Sequence, residues 1–263
     1  MPWKSRKNEG RQNYWRDSIP SVLFFLGCLL VWQIAVDALE LPLWLLPSPV
    51  KVVRAFWHTR GLLWSHTLTT VVETTSGFAL AVLLSLASGV AMVIWPNCKR
   101  LFYPFLVISQ TVPLIAVAPL LILWFGYGLL PKIVTVVLVC FFPVAVSLIE
   151  GLEVTDVDLL NLLHSMGATR WQVLYYVRWP NALPSLFAGL KIAAAYSVMG
   201  AVIGEWLGAS SGLGVYLTRS SHSFLTDQVF ASIVAITLLS LLYFGFISAL
   251  RRIALPWVEI KSR

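Results

Sequence analysis

Six apolar runs constrain this sequence more than anything else in it. They are predicted at Ile19–Val36, Ser76–Trp95, Leu101–Phe125, Ile133–Ile149, Ser185–Ile203 and Phe230–Leu250. At 1.5 Å per residue each crosses about 30 Å of hydrocarbon as a helix, the shorter ones with help from flanking residues. A backbone in lipid must satisfy its own polar groups, and a helix does so within one segment. Charged residues make up 12% of the chain, half of the roughly 25% usual in a soluble domain. The expected fold class is all-α: a polytopic membrane protein of about six transmembrane helices.

Six spans put both termini on one side. If that side is the cytoplasm, thirteen Lys and Arg fall inside: Lys4, Arg6, Lys7, Arg11, Arg16, Lys99, Arg100, Arg170, Arg178, Arg251, Arg252, Lys261 and Arg263. Five fall outside, at Lys51, Arg54, Arg60, Lys132 and Arg219, with Lys191 inside a span. The positive-inside rule therefore favours N-in and C-in. Residues 1–18 are then a basic cytoplasmic N-terminus and 19–263 one transmembrane domain. The same distribution explains the net charge of +7 without nucleic acid, because no basic stripe with interleaved aromatics lies outside the spans. The first apolar run is longer than a usual signal-peptide core and is read as a span. The segment from Asp37 to about Thr75, which contains LPLWLLPSP, is expected to lie extended along the outer surface near Trp44.

Cys28, Cys98 and Cys140 show no C-x-x-C pairing, and the four histidines are scattered. No disulfide framework, metal cluster or nucleophile–base set is expected, and the chain is read as a non-enzyme.

One stretch interrupts the apolar pattern. At about 150–184 the chain reads EGLEVTDVDLLNLLHSMGATRWQVLYYVRWPNALP. Thr155 is the expected N-cap of a helix, with Asp156 and Asp158 favourable in its first turn. Leu159, Leu162, Leu163 and Met166 fall on one helical face. Gly167 suits the left-handed position that ends a helix. Thr169-Arg170-Trp171-Gln172 then matches a capping box, opening a second helix that runs to about Trp179, before Pro180. The result is a helix–Gly–helix elbow on the cytoplasmic side. A packed loop is one reading of it. The other is a docking surface, because Leu159, Leu160, Leu162, Leu163 and Met166 would face water unless a partner covers them.

This elbow resembles the cytoplasmic EAA loop of bacterial ABC-importer permeases, whose pattern runs E-A-A-x3-G-x9-I-x-L-P. Gly167, Ala168, Thr169, Arg170, Trp171 and Gln172, then Val177, Trp179 and Pro180, stand at matching positions. Asn161-Leu162-Leu163 stands where Glu-Ala-Ala would, so the family's Glu is absent. LPSP at Leu46 to Pro49, APLLILWFGYGLLPK at Ala118 to Lys132, AGLKIA at Ala188 to Ala193, Glu205, and GLG at Gly212 to Gly214 are similar to the nitrate, sulfonate and taurine branch. The resemblance implies a multi-pass protein of the bacterial cytoplasmic membrane that pairs with a second permease, commonly an identical one. It also implies an ATPase subunit docked on the elbow and an extracytoplasmic solute-binding protein. The chain has no G-x-x-x-x-G-K-[ST], so it has no P-loop of its own, and ATP and Mg would reside on the separate ATPase chain.

Gln110, in SQTVP, is the leading candidate to line a path, with a helix–helix hydrogen bond as the alternative. Tyr196 and Ser197 are further path candidates, set against core packing. Lys191 is expected to snorkel to the interface. Glu205 is read either as part of an outer gate or as a headgroup-level residue. The spans show no Arg and no expected buried cation, and no acid in their central parts, which argues against an ion-coupled secondary transporter. SQTVPLIAVAPLLILWFGYGLLPK resembles permeases grouped with uptake of the hydroxymethylpyrimidine precursor of thiamine. Sulfonate, taurine or nitrate import is the alternative.

Overall fold

The computed structural model describes residues 9–257 and is helical throughout, with no strand among the described residues. Residues 1–8 and 258–263, with the basic groups predicted there, lie outside the described residues. Two compact units divide the described chain, 9–60 with 220–231, and 61–219 with 232–257.

In the first unit α1 (Glu9–Ala38) carries the first apolar run, and the stretch from Ile19 is exposed along most of its length, as a lipid-facing span would be. α2 (Pro49–His58) corrects the expected extended segment. Ser48 precedes it and Pro49 occupies its first turn, where proline's missing N–H is no loss. Val52 and Ala55 are buried while Val53 and Trp57 are exposed, so the helix is two-faced. Gln33 of α1 bonds Asp37 at 2.7 Å and accepts from the Val50 backbone N–H at 3.3 Å, near the start of α2. Only the stretch between α1 and α2 lacks helical structure; from Arg60 the chain is helical again.

The second unit holds the bulk of the core. α3 (Arg60–Ile94) is 35 residues long, about 52 Å, and extends well upstream of the run that begins at Ser76. The third apolar run is not one continuous helix. It breaks into α4 (Pro96–Ser109) and α5 (Leu114–Phe125), bent by 105°. Pro113 supplies the reason, since it lacks an N–H and drives Val112 out of the α region. Among the described residues five helices are thus long and apolar enough to cross a membrane, and the bent pair makes up to six.

α6 (Leu129–Glu153) and α9 (Trp179–Trp206) form the central seam. On α6 Val136, Cys140, Val144, Leu148 and Leu152 recur every fourth residue and are fully buried. Gly189, Gly200 and Gly204 face the seam from α9, allowing the backbones to approach. At Gly189 even a Cβ would run into the Pro143 carbonyl and the Ser147 side chain. α11 (Thr226–Ala254) is the last long apolar helix, and Tyr243 on it donates to the Val71 carbonyl oxygen of α3 at 3.2 Å.

Candidate functional site

The elbow between α6 and α9 forms as its local sequence dictates, with two differences. α7 (Val157–Ser165) is capped by Asp156, whose side chain accepts from the Asp158 N–H at 2.9 Å, rather than by Thr155. Thr155 is buried instead and its hydroxyl has no partner. The far end closes as a Schellman turn: Ala168 N–H donates to Leu163 at 3.0 Å, and Gly167 N–H to His164 at 3.0 Å. Gly167 sits at φ +79°, the left-handed conformation that glycine adopts freely. α8 (Arg170–Val173) opens with the capping box, Gln172 N–H to Thr169 Oγ1 at 3.3 Å and Thr169 N–H to Gln172 Oε1 at 2.8 Å.

The second difference lies at Pro180. The helix does not stop there; a π turn at Leu174–Arg178 carries it directly into α9. Pro180 has no N–H for the carbonyl four residues back, and the wider turn shifts the ladder to accommodate it.

α7 buries none of its residues. Leu159, Leu162 and Met166 are exposed, Met166 at 75%, with Asn161 and Trp171 exposed beside them, while Leu160, Leu163 and Ala168 are half-buried. The elbow thus presents an apolar ledge that none of the described residues covers.

A cavity of about 760 Å³ opens at the break between α4 and α5. Ser109, Gln110 and Pro113 come from the break, Phe142, Pro143 and Ser147 from α6, and Ile192 and Tyr196 from α9. Non-helical backbone at membrane depth is tolerated where it borders a cavity, which fits the break to its place. The lining is largely apolar and carries no charged side chain. Gln110 and Tyr196 are brought together here, 86 positions apart in sequence. Ser197 is not; it is fully buried in the seam and donates to the Ala194 carbonyl oxygen at 2.8 Å. Lys191 lies 5.7 Å from the Phe244 ring in a cation–π contact.

Glu205 is buried within the protein. It is 1% exposed, accepts from Thr70 Oγ1 at 2.6 Å and from the Gly214 N–H at 2.5 Å, while Thr70 accepts from the Leu213 N–H at 2.9 Å. His66 Nδ1 accepts from the Gly212 N–H at 3.0 Å, so the GLG turn is tied to α3 through Gly212 and Leu213 and to α9 through Gly214. Beside it Lys132 of α6 pairs with Glu73 of α3 at 2.5 Å, both buried. A buried cation is thus present, contrary to expectation, and it lies against a buried acid. Glu73 and Lys132 were read as part of the outer segment and a loop, because a hydropathy run does not show that the helices carrying them extend past it.

A protein-family model for the inner-membrane component of binding-protein-dependent transport systems matches residues 77–258. The formylaminopyrimidine transport permease protein ThiX of Halalkalibacterium halodurans is 39% identical, over 91% of this chain and 96% of the relative. The riboflavin transport system permease protein RibX of Chloroflexus aurantiacus is 34% identical over 91% and 89%. The taurine transport system permease protein TauC of Escherichia coli is 31% identical over 96% of each.

Proposed function

Because the chain belongs to the inner-membrane components of binding-protein-dependent transport systems, a non-catalytic, multi-pass permease subunit of an ABC importer, we propose that it forms a homodimeric path for a neutral heteroaromatic solute, best represented by the hydroxymethylpyrimidine precursor of thiamine. The family works with an ATPase and a solute-binding protein. In our reading the termini and elbow face the cytoplasm, as the distribution of Lys and Arg favours. The exposed ledge of Leu159, Leu162, Met166 and Trp171 docks the ATPase, which holds ATP and Mg. Nucleotide-driven closure there moves α9.

The observation that carries the substrate reading is the lining of the cavity. It offers an amide, a phenol and two hydroxyls on an otherwise apolar wall, with no fixed charge to receive an anion. The buried Lys132 is no such receptor, being neutralised by Glu73. The ThiX likeness supports the same class of solute. The test is uptake into proteoliposomes holding the permease, its ATPase and its binding protein. Labelled hydroxymethylpyrimidine should accumulate with ATP; accumulation of taurine alone would overturn the proposal. An ion-coupled secondary transporter is excluded by family membership rather than by missing acids, since Glu73 and Glu205 are both buried within helices.

A further inference from the structure

We infer that a second cavity, beside the elbow, is a phosphate site that holds the headgroup of an anionic phospholipid. The cavity measures about 290 Å³ and lies where Ile94 and Pro96, at the junction of α3 and α4, meet the elbow. His164, Arg170, Leu174 and Arg178 complete it. Arg170, Leu174 and Arg178 recur every fourth residue, so α8 and the π turn present both guanidinium groups on one face. No carboxylate lines the cavity. The nearby Glu153 carboxylate is held by Lys99 at 2.6 Å.

Among the described residues the two arginines find little to bind. Arg178 Nε is buried and has no hydrogen-bond partner. Arg170 makes one long bond, 3.4 Å, to the Ile94 carbonyl oxygen that ends α3. A buried N–H left unpaired is costly, so a site that keeps one points to an acceptor supplied from elsewhere. The guanidinium fork matches the oxygens of a phosphate, and two forks on one face suit a single anion.

The surroundings favour a lipid as the source. Trp95, just past the end of α3, and Tyr175 and Tyr176 on the π turn are all exposed. Exposed Trp and Tyr mark the headgroup layer. Basic pockets between spans in that layer take anionic headgroups. The site is independent of the solute cavity, which shares none of its lining residues.

The test is native mass spectrometry on the permease purified with its ATPase partner and stripped of lipid. The complex is titrated with phosphatidylglycerol, with phosphatidylcholine, and with inorganic phosphate. Phosphatidylglycerol should be retained in preference to phosphatidylcholine, and Arg178→Gln should weaken it by about tenfold or more. Arg178→Lys, which keeps the charge, should fall between the two and guards against a variant that fails to fold. Tight binding of inorganic phosphate, lost in the same variants, would keep the phosphate chemistry and move the source to solution. Unchanged phosphatidylglycerol binding in Arg178→Gln would overturn the site. So would loss of the ATPase with lipid retention intact, which would assign Arg178 to a partner carboxylate.

Discussion

Lys132 of α6 and Glu73 of α3, 59 positions apart, meet at 2.5 Å with almost no exposed surface on either. One Glu73 oxygen is satisfied by the ammonium and the other has no partner. A pair of this kind contributes through what happens when it is broken. Lys132→Met should destabilise the fold by about 3–5 kcal/mol, and the double change with Glu73→Leu should recover most of that loss. Thermal unfolding in detergent compares the three proteins; a double variant no better than the single one would deny the coupling.

Gly167→Val should uncouple the elbow without unfolding the spans. Space around Gly167 is open, so a side chain meets no neighbour there. The obstacle is conformational: a β-branched residue at φ +79° is disfavoured by roughly 1–2 kcal/mol. The Schellman turn would open and move Thr169 from its cap. Uptake should fall by about tenfold with helical content unchanged by circular dichroism, and Gly167→Asn should be milder. Full uptake in the Val variant would remove the elbow from the coupling.

Gly189→Val should separate the seam. The added methyl groups meet the Pro143 carbonyl and Ser147 at a point where α6 and α9 have no slack. Overpacking of this sort costs about 1–3 kcal/mol or more. A lower melting temperature and poor accumulation in membranes are expected, and wild-type values would mean that the two helices are less closely apposed than described.

Gln110→Leu and Tyr196→Phe probe the cavity one polar group at a time. If the solute bonds either group, KM for uptake should rise about five- to tenfold in that variant. Helical content should not change, since both side chains are exposed rather than packed. Unaltered KM in both variants would empty the cavity of its proposed role.

What could be read from the sequence was mostly what is local. The capping box at Thr169 and Gln172 spans four residues, and the Gly167 turn spans six, so both were visible as patterns. Membrane-length helices were visible as runs. The break at Pro113 was hidden because hydropathy stays high across it, although the proline itself carried the signal. Gln110 and Tyr196 could be named but not brought together. The Glu73–Lys132 pair and the Thr70–Glu205–Gly214 tie join helices distant in sequence, and no spacing rule reaches that far. The π turn was missed for a different reason: Pro180 was taken to end a helix, whereas one widened turn absorbs it.

That continuity has a mechanical meaning. Arg170–Trp206 is one helical rod of 37 residues, about 55 Å, bearing Trp171 near one end, Tyr196 beside the cavity and Glu205 near the other. A displacement applied at Trp171 travels along a stiff shaft to the cavity wall and on to the GLG turn, without crossing a loop that would dissipate it. The π turn and Pro180 are where the regular ladder of that shaft is interrupted. In the proposed coupling, that is where part of each stroke would be taken up as bending.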